Sequence, residues 1–244
     1  MSGPVYLVSD VHLGAVSPAR EEAFRRWLRH AGREASTLLV NGDLFDFWFE
    51  YGSVIPRGHT RTLGALAEVV DGGTPVLFMG GNHDWWGGSF LEEEIGVTFL
   101  RDPLVTELAG HRTFLAHGDG VGSGDLGYRL LRLVLRSGLT RWGFRWLHPD
   151  VGAWAAGVVS KTEGRAAGPT EDDRGRSDAL EAWAVEKLAS EPDLDLVVLG
   201  HTHVPRAREV EPGRWYVNAG DWVFHRSYLV LREDEAPDLR EWDG

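Results

Sequence analysis

The chain contains no cysteine, which excludes both a disulfide framework and a thiolate metal site. Any metal it binds must be held by oxygen and by imidazole nitrogen. The absence also fits a cytosolic protein. Lysine is almost missing, with only Lys161 and Lys187 among 25 basic residues, so the positive charge is carried by arginine. Long apolar runs are absent too: none approaches the roughly 18 residues that a membrane span needs. Met1-Ser2-Gly3-Pro4 leads straight into Val5-Tyr6-Leu7-Val8, without a basic start or a signal-type apolar block, so export is not expected. The expectation is a cytoplasmic protein, at most resting on the inner face of a membrane. Basic residues are also in deficit, 25 against 37 acidic, for a formal net charge of −12. A surface that negative repels the phosphates of bulk nucleic acid, and no nucleic-acid partner is expected.

What is present suffices for a large core: 244 residues, 43% of them hydrophobic, read as a single domain over 1–244. Strand-length apolar runs recur at Val5 to Val8, Thr37 to Val40, Val76 to Met79, Thr113 to Ala116, Leu196 to Leu199 and Tyr228 to Leu231. Ser17-Pro18, followed by Glu21, Glu22 and apolar Phe24, Trp27, Leu28 and Ala31, predicts a capped helix. Thr60 to Val70 predicts a second helix. Strands alternating with helices over the first 80 residues, and strands alone after Leu196, predict a mixed α/β (α+β) sandwich with antiparallel additions. Between about 124 and 190 the strand signal gives way to a helical, Trp- and Arg-rich stretch, read as a cap insertion. The acidic tail from Glu233 reads as a solvated end.

Five of these strands end in metal-competent side chains: Asp10-Val11-His12, Asn41-Gly42-Asp43, Gly81-Asn82-His83-Asp84, His117-Gly118-Asp119 and Gly200-His201-Thr202-His203. In an open sheet, ligands gather beyond the carboxyl ends of strands, so turns far apart in sequence converge on one point. A pair of divalent cations about 3.5 to 4 Å apart needs a bridging carboxylate, two sets of oxygen and nitrogen ligands, and open positions for substrate. Each turn taken alone is ordinary turn chemistry; five together supply that list. His30, His59, His111, His148 and His225 fall outside these turns and have no assigned role.

In order and residue type the set resembles the calcineurin-like metallophosphoesterase superfamily. The resemblance implies a four-layer sandwich of two mixed β-sheets flanked by helices, with a helical cap. It also implies two divalent metal ions, manganese first and iron or zinc as alternatives. One would take Asp10, His12, Asp43 and His203, the other Asp43, Asn82, His117 and His201, with Asp43 bridging. His83 would stabilise the phosphoryl oxygens or protonate the leaving oxygen, Asp84 would fix its tautomer, and Asp119 would orient His117. Gly42-Asp43-Leu44-Phe45-Asp46-Phe47-Trp48, the His117 block with Asp125 and Tyr128, Gly200-His201-Thr202-His203-Val204-Pro205 and Gly220-Asp221-Trp222 look like the UDP-2,3-diacylglucosamine pyrophosphohydrolases of lipid A synthesis. That branch implies attack of a metal-bound hydroxide on the α-phosphorus, releasing UMP and 2,3-diacylglucosamine 1-phosphate. His83 departs from the branch, whose best-known enzymes carry Arg there. The general superfamily residue at this position keeps open a phosphodiesterase or phosphatase acting on a soluble nucleotide or a phosphoprotein. A nuclease and a non-catalytic interaction module are the remaining readings.

Residues 126–149 carry Arg129, Arg132, Arg136, Arg141 and Arg145 and no acid. On a helix through Leu126 to Leu139 the first three arginines would form one stripe on an otherwise apolar surface. Such a helix would line an acyl chamber or rest on anionic headgroups, with Arg129 and Arg132 near substrate phosphate, and the resemblance to the branch implies that Asp125 and Tyr128 are cap or substrate-side positions. Core packing with solvated arginines explains the same pattern, and Trp142, Trp146 and Trp154 read equally as interfacial anchors or as packing residues.

Overall fold

Successive residues of β1 (Val5–Val8) face opposite cores, and this alternation sets the layers of the protein. The computed structural model describes residues 3–122, 132–152, 154 and 168–244. Tyr6 and Val8, with Leu38 and Val40 of β2 (Thr37–Asn41) and Phe78 of β3 (Val76–Met79), pack under two helices. These are α1 (Pro18–Glu34), contributing Phe24, Trp27, Leu28 and Ala31, and α2 (Thr60–Asp71), contributing Leu63, Leu66 and Val69. Each fully buried large side chain of this kind contributes about 1.5–3 kcal/mol before its entropy cost is subtracted. Ser17 caps α1 by accepting from the Arg20 amide, and Pro18 occupies the first turn, as the sequence predicts.

Val5 and Leu7 point the other way, with Leu39 and Met79, into a second core shared with the other sheet. That sheet contains β5 (Leu104–Leu108), β6 (His111–Leu115), β7 (Leu196–Leu199), β8 (Arg206–Glu211) and β9 (Arg214–Asn218), in the order β5-β6-β7-β9-β8. The first sheet has the order β11-β10-β1-β2-β3-β4, completed by β4 (Thr98–Leu100), which follows the short α3 (Ser89–Glu93), and by β10 (Ser227–Leu231) and β11 (Asp238–Glu241). Both are mixed. In the first, β1 to β4 run parallel while β10 is antiparallel to β1; in the second, β6, β7 and β9 run parallel between antiparallel β5 and β8. The fold is therefore α/β, two mixed sheets flanked by helices.

Three expectations change. The acidic tail is not simply a solvated end, because Asp238–Glu241 pairs with β10 and Trp242 packs at the edge of the first core. The cap does not extend to residue 190: α5 (Glu171–Ser190) lays Leu180, Ala184 and Leu188 against Val197, Leu199 and Tyr216, forming the fourth layer of the sandwich. A Thr170–Asp173 capping box begins that helix. The helix expected over Leu126 to Leu139 is also interrupted. Residues 132–135 are helical, Arg136 turns, and Ser137 caps a separate α4 (Gly138–Phe144) through the Thr140 amide. The Thr140 hydroxyl reaches back to the Val134 carbonyl and fixes the corner.

Candidate metal centre

The turns after the strands carry five non-glycine residues in the left-handed region: Asp10 (φ 54°) and His12 (φ 50°) after β1, Asp43 (φ 54°) after β2, and His201 (φ 71°) and His203 (φ 57°) after β7. Each such conformation costs an L-residue about 1–2 kcal/mol, so their clustering requires compensation. Interlocking hydrogen bonds supply part of it. The amides of Val11 and His12 donate to the Asp43 carbonyl at 2.9 and 3.0 Å, the His201 amide to Asp10 Oδ2 at 2.9 Å, and the His83 amide to Asp43 Oδ1 at 2.9 Å. Close approach demands glycine at two points. A side chain on Gly42 would strike the His117 ring and come within 2.9 Å of the Gly81 Cα, and one on Gly81 would collide with the Asp43 carboxylate.

Four imidazoles converge on two buried carboxylates through Nε2. His117 Nε2 lies 3.2 Å from Asp43 Oδ2, His12 Nε2 3.8 Å and His83 Nε2 4.0 Å from the same oxygen, and His203 Nε2 3.7 Å from Asp10 Oδ1. Each ring is oriented from behind through Nδ1: His12 by Asp46 Oδ1 at 3.2 Å, His203 by Asp221 Oδ2 at 3.1 Å, His117 by the Asn41 carbonyl at 2.9 Å and His83 by the Asp46 carbonyl at 2.7 Å. Partners of this kind fix the tautomer and turn Nε2 toward a ligand.

Burial opposes charge on Asp43, yet His117, His83 and His12 together hold its carboxyl well below the usual range. Burial opposes charge on His117 as well, and Asp43 and Asp10 draw that imidazole well above its ordinary value. His201 is pushed down to about 3 by burial and by His117, and His12 is lowered by burial. Asp10 Oδ1, His12 Nε2 and His117 Nε2 are buried without a hydrogen bond, a costly arrangement for a polar atom. Three groups each bring ligand atoms within 4.8 Å of one another: Asp10, His12 and His203; His12, Asp43 and His83; and Asp43, His117 and His201. Orphaned, oriented donors around a shared carboxylate fit a pair of divalent cations, and this oxygen and nitrogen set accommodates manganese, iron or zinc.

A profile of the family described as calcineurin-like phosphoesterase matches residues 3–205. The chain belongs to the calcineurin-like phosphoesterase family. It is a metal-dependent phosphoester hydrolase whose family implies a dinuclear divalent site, and the convergent His and Asp clusters are candidate ligands for it. Among its relatives, the UDP-2,3-diacylglucosamine hydrolase of Porphyromonas gingivalis is 30% identical over 100% of this chain and 95% of its own. Those of Ralstonia nicotianae and Aeromonas hydrophila are 35% and 32% identical, covering 96% and 93% of this chain and 91% and 94% of their own.

Other residues singled out in the sequence of this phosphoesterase divide between the site and its supports. Asn82 is exposed at the turn before His83. Asp84 does not hold the His83 ring. Its buried carboxylate accepts from the amides of Gly81 (2.8 Å), Leu44 (2.7 Å), Asp43 (3.3 Å) and Phe45 (3.4 Å), tying the β2 turn to the β3 turn. Asp119 does not orient His117 either, because the Asn41 carbonyl occupies that ring's Nδ1. Asp119 instead receives Arg136 at 2.9 Å and Arg132 at 3.6 Å, while the Arg136 guanidinium lies over Trp85 at 4.8 Å. Arg132 and Arg136 thus tie their segment to the His117 loop. Asp125, Tyr128 and Arg129 lie outside the described residues.

Asp46 and Asp221 have roles that the sequence did not disclose. Asp46 lies three residues after Asp43 and Asp221 beside Trp222, but only the fold brings them behind His12 and His203. Residues 132–144 dock through Phe144, whose ring sits 4.6 Å from Phe49 and 4.8 Å from Trp86, and through Trp86 Nε1 donating to the Leu135 carbonyl. The loop that carries His83 therefore also supports this segment.

Proposed function

We propose that this phosphoesterase hydrolyses the pyrophosphate of UDP-2,3-diacylglucosamine, giving UMP and 2,3-diacylglucosamine 1-phosphate, in the cytoplasm at the inner face of the membrane. The observation that carries this reading is end-to-end similarity to hydrolases bearing that substrate's name, 30% and 35% identical over nearly the whole length of both partners. Asp10, His12, Asp43 and His203 would hold one cation, and Asp43, Asn82, His117 and His201 the other, with manganese the expected metal. When bound, the two cations supply Lewis acidity and positive charge at the reacting phosphorus.

The chain's own groups do the rest. Asp43 keeps its charge in a buried setting and bridges the two halves of the ligand set. His83 donates from Nδ1 to the Asp46 carbonyl, leaving Nε2 on the Asp43 side of the cleft to hold a proton for the departing oxygen. The exposed cap residues Leu139 and Trp146 offer apolar surface for a lipid-linked substrate or the bilayer that contains it. Among the described residues no helix is long and apolar enough to cross a membrane.

His83 itself favours a second reading, a phosphodiesterase or phosphatase for a smaller soluble substrate. Incubation with Mn²⁺ and detergent-dispersed UDP-2,3-diacylglucosamine separates the two. UMP release is expected. Turnover of an aryl phosphodiester without UMP release would transfer the assignment to the second reading, and cleavage of single-stranded DNA at low salt would transfer it to a nuclease.

A further inference from the structure

A cleft of about 290 Å³ opens between α4 of the cap and the loop that follows His83. Its lining includes Arg101, Arg141, Arg145, Trp86, Glu50 and Glu92. Arg141 and Arg145 are four residues apart, one helical turn, and face the same opening. No carboxylate among the described residues lies within ion-pair distance of either. The third guanidinium, Arg101, is held in place by donating to the Gly87 carbonyl at 3.2 Å and by lying 5.2 Å from the Phe99 ring centroid.

The two acids offset part of these three charges and leave the lining with an excess of one positive charge. Glu50 is buried, and its oxygens are occupied by the amides of Gly88 (2.9 Å), Phe90 (3.0 Å) and Leu91 (3.4 Å), by Trp48 Nε1 (3.2 Å) and by the Ser89 hydroxyl (3.4 Å). Glu92 stands exposed at the rim. In a chain of net charge −12, a concave surface with three converging guanidiniums is an anion site by its chemistry, and arginine suits the oxygens of phosphate.

The same segment identifies the source of the anion. Leu139, Trp142 and Trp146 are 77%, 61% and 77% exposed on the solvent side of the cap. Tryptophan beside arginine, with apolar area facing outward and cations alongside, is the composition of a segment that rests in the headgroup layer of a bilayer. We infer that the Arg101–Arg141–Arg145 cleft is a docking site for the phosphate of an anionic phospholipid headgroup, separate from the metal centre. It seats the cap on the membrane while Leu139, Trp142 and Trp146 enter the interface. This rests on the reading of the protein as acting on a membrane-held substrate.

The test is co-sedimentation of the full chain with vesicles of phosphatidylcholine alone and of phosphatidylcholine mixed equally with phosphatidylglycerol. Stronger binding to the mixed vesicles is expected, and Arg141→Gln/Arg145→Gln should weaken it ~30-fold. Arg26→Gln/Arg176→Gln removes the same charge from exposed helical pairs elsewhere and should leave vesicle binding within about twofold of wild type, the scale of an unspecific charge change. Trp142→Ser/Trp146→Ser should weaken binding to both kinds of vesicle. Wild-type vesicle binding by the Arg141/Arg145 variant, or an equal loss in the Arg26/Arg176 variant, overturns the proposal. Saturable binding of inorganic phosphate that needs Arg141 and Arg145, without vesicle binding, also overturns it, because the cleft would then serve a free anion. UMP release from detergent-dispersed substrate is read on the same preparations. Its failure with vesicle binding intact sinks the substrate assignment and leaves the docking site standing.

Discussion

The Asp221 carboxylate holds two imidazoles at once: Oδ2 lies 3.1 Å from His203 Nδ1 and Oδ1 lies 2.8 Å from His225 Nδ1. It also accepts from the amides of Phe224 and His225, both at 3.1 Å, so its position is fixed by the turn after β9. Burial would raise its pKa, but the hydrogen bonds from His203 and His225 hold it below the ordinary carboxylate value. Asp221→Asn keeps the shape and removes the charge that makes His203 a better ligand. Metal affinity is expected to fall about 10–100-fold, read by competition with a chelating dye at a temperature where the variant is folded; the metal-free protein should also lose about 1–3 kcal/mol, because the new amide NH2 faces donors that the carboxylate accepted from. Unaltered affinity would mean that His203 is oriented without Asp221.

Asp43 and His83 separate holding metal from moving a proton. Asp43 is approached by three imidazoles, and Asp43→Ala should abolish both activity and tight binding of two metals. His83→Ala removes a ring that no backbone strain holds in place and should slow turnover about 10²–10⁴-fold with both metals retained. Metal content by elemental analysis beside kcat is the check. Loss of metal from the His83 variant would move that residue into the ligand set, a position its 4.0 Å separation from Asp43 makes geometrically accessible.

The strands and their ends were legible in the sequence because each is a short β-branched or leucine run closed by a polar turn: β1, β3 and β7 fall on the ranges read from composition. Their convergence was legible for the same reason, since a parallel sheet places strand ends on one edge. Three things were not. β8 lies on a sheet edge and is charged at four of its six positions, with Ala207 and Val210 its only apolar residues, and β11 has Leu239 as its only apolar residue, so neither carries a hydrophobic signal. α5 has charged residues around most of its circumference and buries only a narrow line, Leu180, Ala184 and Leu188, which made it look like part of the cap. The partner of a histidine is set by tertiary contact, so Asp46 and Asp221 could be quoted but not assigned, and Asp84 was assigned to the ring beside it in sequence rather than to the amides beside it in space.

Asp84 is therefore a stability residue whose loss reaches the site. Burial and the neighbouring Asp43 charge raise its pKa to about 7, against the opposing pull of its amide donors. Asp84→Asn replaces an oxygen that accepts from backbone amides with a group that can only donate. The expected cost is about 2–4 kcal/mol, the price of leaving buried donors unpaired. Urea denaturation of the metal-free variant measures this. The same variant should lose activity through displacement of the Asp43 turn, with metal affinity falling in parallel. A variant as stable as the parent would return Asp84 to a role at His83.

His59 gives the fold a pH dependence independent of metal. Its ring is buried against Phe45, 4.9 Å between centroids, and beside Trp48 at 6.1 Å. Burial pushes its pKa from 6.5 down to about 4. The unfolded chain binds this proton near pH 6.5 and the folded chain only near pH 4, so stability rises with pH across that window. Above the unfolded value both states are neutral and the contribution is constant. Acidification through the window is expected to remove about 3 kcal/mol from this residue alone. His59→Phe keeps an aromatic ring among Phe45 and Trp48 and removes the titration. Comparing urea midpoints at about pH 7.5 and about pH 4.5, with chelator present, the variant should lose markedly less stability than the parent. Equal losses would show that His59 is protonated in the folded state and that its pocket admits water.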